Sequence, residues 1–346
     1  MLYLSTRNRN DTQTAHKAIH NAFCADGGLF VPFRLPEYSA EEIAALGCKS
    51  FSQNMADILN LFFSAGLSGW DVEFLIGRNC VKLTSMSHRI LVGELWHNTN
   101  WNFDYLVQTL SDRMKKSDVG SAPTPWVQIA VRIAAVFGLY GILLADHSIE
   151  DNEKIDVAVP IGDFSAPMAV WYARKMGLPI GNIICGCNEN GAFWDLVNLG
   201  ELPTGNTVIS TTTPLCDMAV PAGIERLVFD RLSQDEARRF AETMEKGRTY
   251  FPPEEAEISW NDGMFAAVIS TARVASVIHN VYRNTDQVIG PYDALAYGSL
   301  LDYRAKTGQG GIAVLLSERS PVCDDAVVAS ALRIDIAEFK HRLQTG

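Results

Sequence analysis

Apolar residues return along this chain in two rhythms. Over residues 51–65 they recur every three or four positions, which predicts a helix with one buried face. Residues 11–25 read as a helix running into the Gly27-Gly28 turn, and residues 103–116 as another helix. From 125 to 145 nearly every position is apolar, which predicts a helix buried on all sides. Ile155 to Pro160, Asn182 to Cys187 and Ile312 to Leu316 are shorter runs of strand length. A turn at Gly162 and a helix to residue 176 separate the first two, and strand, turn, helix, strand predicts a βαβ unit with parallel pairing. Residues 265–282 and 334–344 complete the pattern as helices. The fold class is α/β.

Composition narrows the function classes. At 346 residues, 47% hydrophobic and 20% charged, the chain has material for one large domain or two intimately packed ones. A net charge of −11 excludes nucleic acid as the expected partner, because phosphate binding needs a basic face. It also argues against an anionic membrane surface. Arg132 and two glycines interrupt the apolar run Ile129 to Ala145, so a buried helix is expected there and no membrane span. The first residues lack the charged and apolar regions of a signal peptide. Seven cysteines, an odd number, suit reduced thiols and a cytoplasmic location. Cys185-Gly186-Cys187 lacks further ligand spacing, so strand packing is expected and no metal site.

Several motifs fall in a fixed order from residue 3 to about residue 320. Tyr3-Leu4-Ser5-Thr6-Arg7 resembles Y-x-S-T-R, and Asp26-Gly27-Gly28-Leu29-Phe30-Val31-Pro32 resembles D-G-G-L-(Y/F)-V-P. Val159-Pro160-Ile161-Gly162-Asp163-Phe164-Ser165-Ala166 is similar to V-P-T-G-N-F-G-N, and Asn188-Glu189-Asn190 matches N-E-N. Thr213-Pro214-Leu215-Cys216-Asp217-Met218 resembles S-P-S-M-D-I, Tyr292-Asp293-Ala294 stands at H-T-A, and Val314-Leu315-Leu316-Ser317 at V-L-A-T. Taken in this order the motifs resemble those of threonine synthases, and the resemblance implies a three-layer fold with a mostly parallel sheet, as in the large domain of the fold-type II pyridoxal phosphate enzymes. It divides the chain into an N-terminal region (1–90), a remnant of the lysine segment and small domain (91–122) and a large α/β domain (123–346).

Three departures from the family pattern bear on chemistry. The segment Glu94-Leu95-Trp96-His97-Asn98-Thr99-Asn100-Trp101-Asn102-Phe103-Asp104 resembles E-L-F-H-G-P-T-x-x-F-K, and the lysine that would form the Schiff base falls on Asp104. A carboxylate cannot condense with an aldehyde. Only Ser117 to Ala122 separates this helix from Pro123-Thr124-Pro125-Trp126, which predicts that most of a smaller, substrate-holding domain is deleted. In the family turn Gly-Asn-Phe-Gly-Asn the backbone amides hold the cofactor phosphate. Here Ser165 adds a side chain at a glycine position, and Asp163 places a charge beside the intended dianion. At an effective dielectric near 20 that repulsion is about 4 kcal/mol for charges roughly 4 Å apart. Asp163 also suits the N-cap of the helix that follows.

These changes imply a protein without pyridoxal phosphate. The expected function is a threonine synthase-like pseudoenzyme acting as a binding or regulatory subunit. A protein partner or second copy would cover the face exposed by the deletion, and the ligand would be small and amino-acid-like. His97, Asp104 and Asp163, with Asn100, are expected to cluster, and His97 and Asp104 are the candidate catalytic pair. The degenerate pocket comprises Asn98, Thr99, Asn100, Gly162, Asp163, Phe164, Ser165, Asn188, Glu189 and Ser317, the last standing where a hydroxyl meets the pyridine nitrogen in the family. No metal is expected. Trp96, Trp101, Trp126, Trp171 and Trp194 border the old site and are expected to fill vacated space or to form a partner surface. Two alternatives remain: a repurposed enzyme on an amino acid or related metabolite, and a cofactor-dependent lyase using Lys82, Lys115 or Lys116, the last two expected to face solvent.

Overall fold

The computed structural model describes residues 1–77, 81–87, 89–97, 103–115, 123–253 and 260–345. The strands are β1 (Leu2–Ser5), β2 (Asn8–Thr14), β3 (Phe30–Pro32), β4 (Lys82–Ser87), β5 (Ile90–Glu94), β6 (Ile155–Pro160), β7 (Ile180–Cys187), β8 (Met264–Val268) and β9 (Ala313–Ser317). The principal helices are α1 (Phe51–Phe63), α2 (Gly69–Ile76), α3 (Phe103–Lys115), α4 (Pro125–Ala145), α5 (Ser165–Lys175), α6 (Ile224–Arg231), α7 (Thr271–Thr285) and α8 (Pro291–Thr307).

β1 to β3 form a small antiparallel sheet in the order β2-β1-β3. The main sheet runs β4-β5-β9-β6-β7-β8, antiparallel at β4 and parallel elsewhere. This agrees with the expected α/β class and mostly parallel sheet. β9 comes last in the sequence of these strands yet lies inside the sheet, between β5 and β6. All five of its residues are buried, as a parallel strand covered on both faces requires.

Two expected helices begin as strands. Residues 8–14 pair with β1, Leu2 opposite Thr14, and the helix starts only at Ala15. Residues 264–268 pair with β7, and α7 starts after Ser270, whose hydroxyl accepts from the Arg273 amide. A short apolar run such as Phe265-Ala266-Ala267-Val268 has no period that separates strand from helix, and the neighbouring β7 decides. The helices at 51–63, 103–115 and 125–145 agree with the pattern. α4 is the one described helix long and apolar enough to cross a membrane, and 89% of its apolar window is buried inside the protein.

The helices lie close to the sheet because glycines allow it. A Cβ on Gly186 in β7 would lie 2.5 Å from the Leu295 carbonyl carbon and oxygen, so α8 rests backbone to backbone on the sheet. The N-terminal sheet is tied to α6: Arg7 Nη2 donates to Glu225 Oε2 at 2.9 Å, and the Thr6 hydroxyl donates to Glu225 Oε1 at 2.5 Å. A single hydrophobic cluster includes Tyr3, Leu110, Trp126, Leu315 and Phe339, and so draws on all parts of the chain.

Gly186→Ala is expected to destabilise the fold by about 1–3 kcal/mol, since the added methyl meets backbone and not a flexible side chain. Urea unfolding measures it, and an unchanged midpoint would contradict backbone contact between α8 and β7.

Candidate functional site

The parallel strands end on one side of the sheet, where ligands sit in open α/β folds. Outside the ends of β6 and β9 lies a cavity of about 370 Å³. Its wall takes Asp104 from the first turn of α3, Arg132 from α4, the Gly162-Asp163 turn, Leu215 and Cys216, and Asp293 from α8. Leu316, Glu318 and Arg319 complete it from the end of β9.

Arg132 is the charged centre. It is the one charged residue in α4, and its guanidinium donates twice to Glu318, Nε to Oε1 at 2.8 Å and Nη2 to Oε2 at 2.7 Å. Nη1 donates to the Gln128 carbonyl at 3.3 Å, and the guanidinium stands 5.4 Å from the centre of the Phe103 ring. Burial opposes the charge on Arg132, but Glu318, Asp163 and Asp104 outweigh it, so the residue is held firmly protonated. Burial pushes the Glu318 carboxyl up, and Arg132 pulls it back. The Phe103 amide donates to the Glu318 carbonyl at 2.7 Å, which pins the start of α3 to the end of β9. Asp104, beside it, has a mostly exposed side chain 3.7 Å from Arg132 Nη2.

The turn before α5 has Gly162 at φ +46° and Phe164 at φ +74°. A Cβ on Gly162 would meet nothing within 4 Å, so the glycine serves the conformation and leaves open space. Asp163 lies one residue ahead of the formal cap, which is Phe164. From there its Oδ1 accepts the Ser165 amide at 2.9 Å and the Ser165 hydroxyl at 2.5 Å. The amide that would face an anion is therefore already engaged by the protein's own carboxylate. Asp163 is exposed, so its repulsion of a dianion falls toward the bulk-water value of about 1 kcal/mol.

Below Arg132 the end of β9 carries a second chain of contacts. Trp96 Nε1 donates to Ser317 Oγ at 2.9 Å, and Ser317 Oγ donates to Asp293 Oδ2 at 3.0 Å. The Gly290 amide also donates to Asp293 Oδ2, at 3.2 Å. Asp293 is buried, and burial pushes its carboxyl up to about 7, against the pull of these two donors.

Not all expected site residues meet here. Asp104, Gly162, Asp163 and Ser165 line the cavity, whereas His97 does not. His97 Nδ1 instead lies 3.3 Å from Glu94 Oε2, while its neighbour Trp96 turns in toward Ser317. Both residues lie in the turn that follows β5, with their ring centres 5.2 Å apart. Asn98, Thr99, Asn100 and Trp101 lie outside the described residues, as does the segment 116–122 with Lys116. Asn188 Nδ2 donates to Thr211, Thr213 and Asp217, with the Asp217 contact at 2.7 Å. Glu189 accepts the Thr271 amide at 2.6 Å and so caps α7. Phe164 is fully buried against Phe193. No tryptophan among the described residues lines the cavity; Trp126 packs in the core against Tyr3 and Phe62. Lys115, expected to face solvent, is 6% exposed, and Lys82 lies exposed on β4. No described lysine lines the cavity. Cys185 and Cys187 are buried in β7, and burial raises both thiols.

Sequence reasoning missed Arg132, Glu318 and Asp293 as site residues. A signal existed for the first: a lone arginine in an otherwise apolar helix needs a partner once the helix is buried.

Residues 2–79 match the family model described as Threonine synthase N terminus. The chain is 30% identical to threonine synthase from Methylobacillus glycogenes over 33% of its own length and 23% of that protein. It is 28% identical to threonine synthase-like 1 from Mus musculus over 32% of its own length and 15% of that protein. These stretches span less than a quarter of either relative. The fold is that of pyridoxal phosphate-bound threonine synthase from Brucella melitensis, with a TM-score of 0.83, 18% identity, and coverage of 96% of this chain and 91% of that one. Threonine synthase from yeast gives a TM-score of 0.82 at 15% identity, covering 96% and 90%. The expectation of a protein without a cofactor is contradicted by the first of these neighbours, which carries bound pyridoxal phosphate on the same fold.

Two outcomes test the electrostatics. Glu318→Gln strands the Arg132 charge and is expected to cost about 3–5 kcal/mol, while Arg132→Met with Glu318→Leu recovers most of it; urea unfolding of both decides. For Asp293 the folded carboxyl titrates near 7, above its unfolded value of about 4, so its stabilisation is complete in acid and is lost as pH rises through 7. The wild type is therefore expected to lose stability between about pH 4 and pH 7 relative to Asp293→Asn. Each pH unit between the unfolded and folded midpoints contributes at most about 1.4 kcal/mol, and parallel stability curves would refute the effect.

Proposed function

We propose, from the premise that this chain belongs to the threonine synthase family, that it is a cytoplasmic pyridoxal phosphate-fold protein that holds its cofactor without a covalent bond. On this reading it serves as a binding or regulatory subunit and does not carry out β/γ-replacement. The observation that carries the reading is the cavity wall: Asp104 is present in the first turn of α3, and no described lysine reaches the cavity.

The residues fit such a group in part. The Gly162–Ser165 turn leaves space at the anion end, and Asp293, held by the buried Ser317 hydroxyl, offers a carboxyl at the wall. Covalent attachment does not fit, because a carboxylate at Asp104 has no nitrogen with which to attack an aldehyde. When bound, the group supplies an electron-accepting ring; this chain's residues bind and orient it and keep water out. Arg132 and Glu318 make a fixed polar wall, and Leu215, Cys216 and Leu316 make an apolar one. Asp163 holds the Ser165 amide and so weakens the preference for a phosphate.

Equilibrium dialysis with pyridoxal phosphate, followed by borohydride and peptide mapping, tests the reading. Reversible binding with no labelled peptide is expected. A labelled lysine peptide would establish a substitute lysine, and absence of binding would remove the ligand altogether. Asp163→Asn is expected to raise the affinity ratio of pyridoxal phosphate to pyridoxal several-fold in the same assay.

A further inference from the structure

Asp293 is more heavily buried than a helix-capping role requires. It lies in the first turn of α8, where a carboxylate accepting the Gly290 amide is a common arrangement. That role, and the bond from Ser317, both fall on Oδ2. Oδ1 accepts no hydrogen bond from a described residue and is not among the sealed, unsatisfied atoms, while the residue itself is 5% exposed and lines the cavity. The cations nearby are engaged elsewhere: Arg132 with Glu318, and Arg319 with Asp324 at 2.9 Å. A carboxyl in low-dielectric surroundings with one open oxygen and no cation of its own calls for a donor from outside the chain.

The surroundings restrict that donor. The cavity that Asp293 lines has an apolar part formed by Ile161, Leu215, Cys216 and Leu316. A hydrated divalent ion needs several oxygen ligands, and Glu318 is already committed. An alkylammonium brings three donors to a site with one open acceptor. A flat aromatic ring carrying a single protonated nitrogen matches one oxygen and presents apolar faces to the wall. We propose that Asp293 determines specificity in this cavity by accepting a hydrogen bond from the protonated ring nitrogen of an aromatic ligand. The assignment rests on the cavity being a non-covalent cofactor site, and it names the feature of the ligand that is selected. The raised titration of Asp293 supports it, since a carboxyl near neutrality shares a proton with a pyridine more readily than an ordinary one does.

The test compares two probes by titration calorimetry at pH 7: pyridoxal phosphate, and the same molecule with carbon in place of the ring nitrogen. Wild type is expected to bind the first at least tenfold more tightly. Asp293→Asn is expected to cut that preference below threefold while leaving the affinity for the carbon analogue unchanged, with a melting curve to show that the variant folds. Equal affinity of the wild type for both probes overturns the proposal, and this arm requires no variant. An equal loss for both probes in Asp293→Asn also overturns it, since it marks a purely structural role. If the wild type binds neither probe, the underlying reading of the cavity fails and the proposal with it; if it binds both alike, only the proposal fails.

Discussion

The cavity depends on the pairing of Arg132 with Glu318. A buried guanidinium without a counter-charge is untenable in the middle of an apolar helix, so the position of Glu318 at the end of β9 is coupled to that of α4. Because the backbone of Glu318 also receives the Phe103 amide, the same residue fixes where α3 begins. Three elements that are distant in sequence are thereby set around one space. The pair contributes little net stability over an apolar substitute; its effect is to define the geometry.

The fold was largely legible in the sequence because its signals are strong and local. α4 has apolar residues on all sides, and the β6–α5–β7 unit is bounded by a proline, a glycine turn and a Gly-Leu-Pro stop. Legibility failed where pairing between distant segments decides the conformation. Residues 8–14 are polar and form a strand because β1 lies beside them, and Phe265 to Val268 join β7. The site was less legible than the fold. Asp104 and Asp163 line one cavity, whereas His97 sits in the turn after β5 beside Glu94, and the path of a turn cannot be read from a motif. Asp293 and Glu318 acquire their character from burial, which is a property of the folded chain.

The motif letters that this chain shares with threonine synthases also prove to have structural duties. Thr6 and Arg7 clasp Glu225, Asn188 gathers Thr211, Thr213 and Asp217, and Glu189 caps α7. Each satisfies buried polar groups whose loss would cost free energy whether or not the protein catalyses anything. Their agreement with the family letters is accounted for by the scaffold alone.

The central place of β9 has a consequence for how the protein is made. A ribosome delivers residues in order, and β5 and β6 emerge long before the strand that must lie between them. Until residues 313–317 appear, the nascent sheet is split, with unpaired edges on β5 and β6, and the cavity has no floor. Completion of the sheet is thus a late insertion, not an outward growth. Such long-range closure is slow, and it leaves the incomplete chain dependent on protection from its own exposed edges during synthesis.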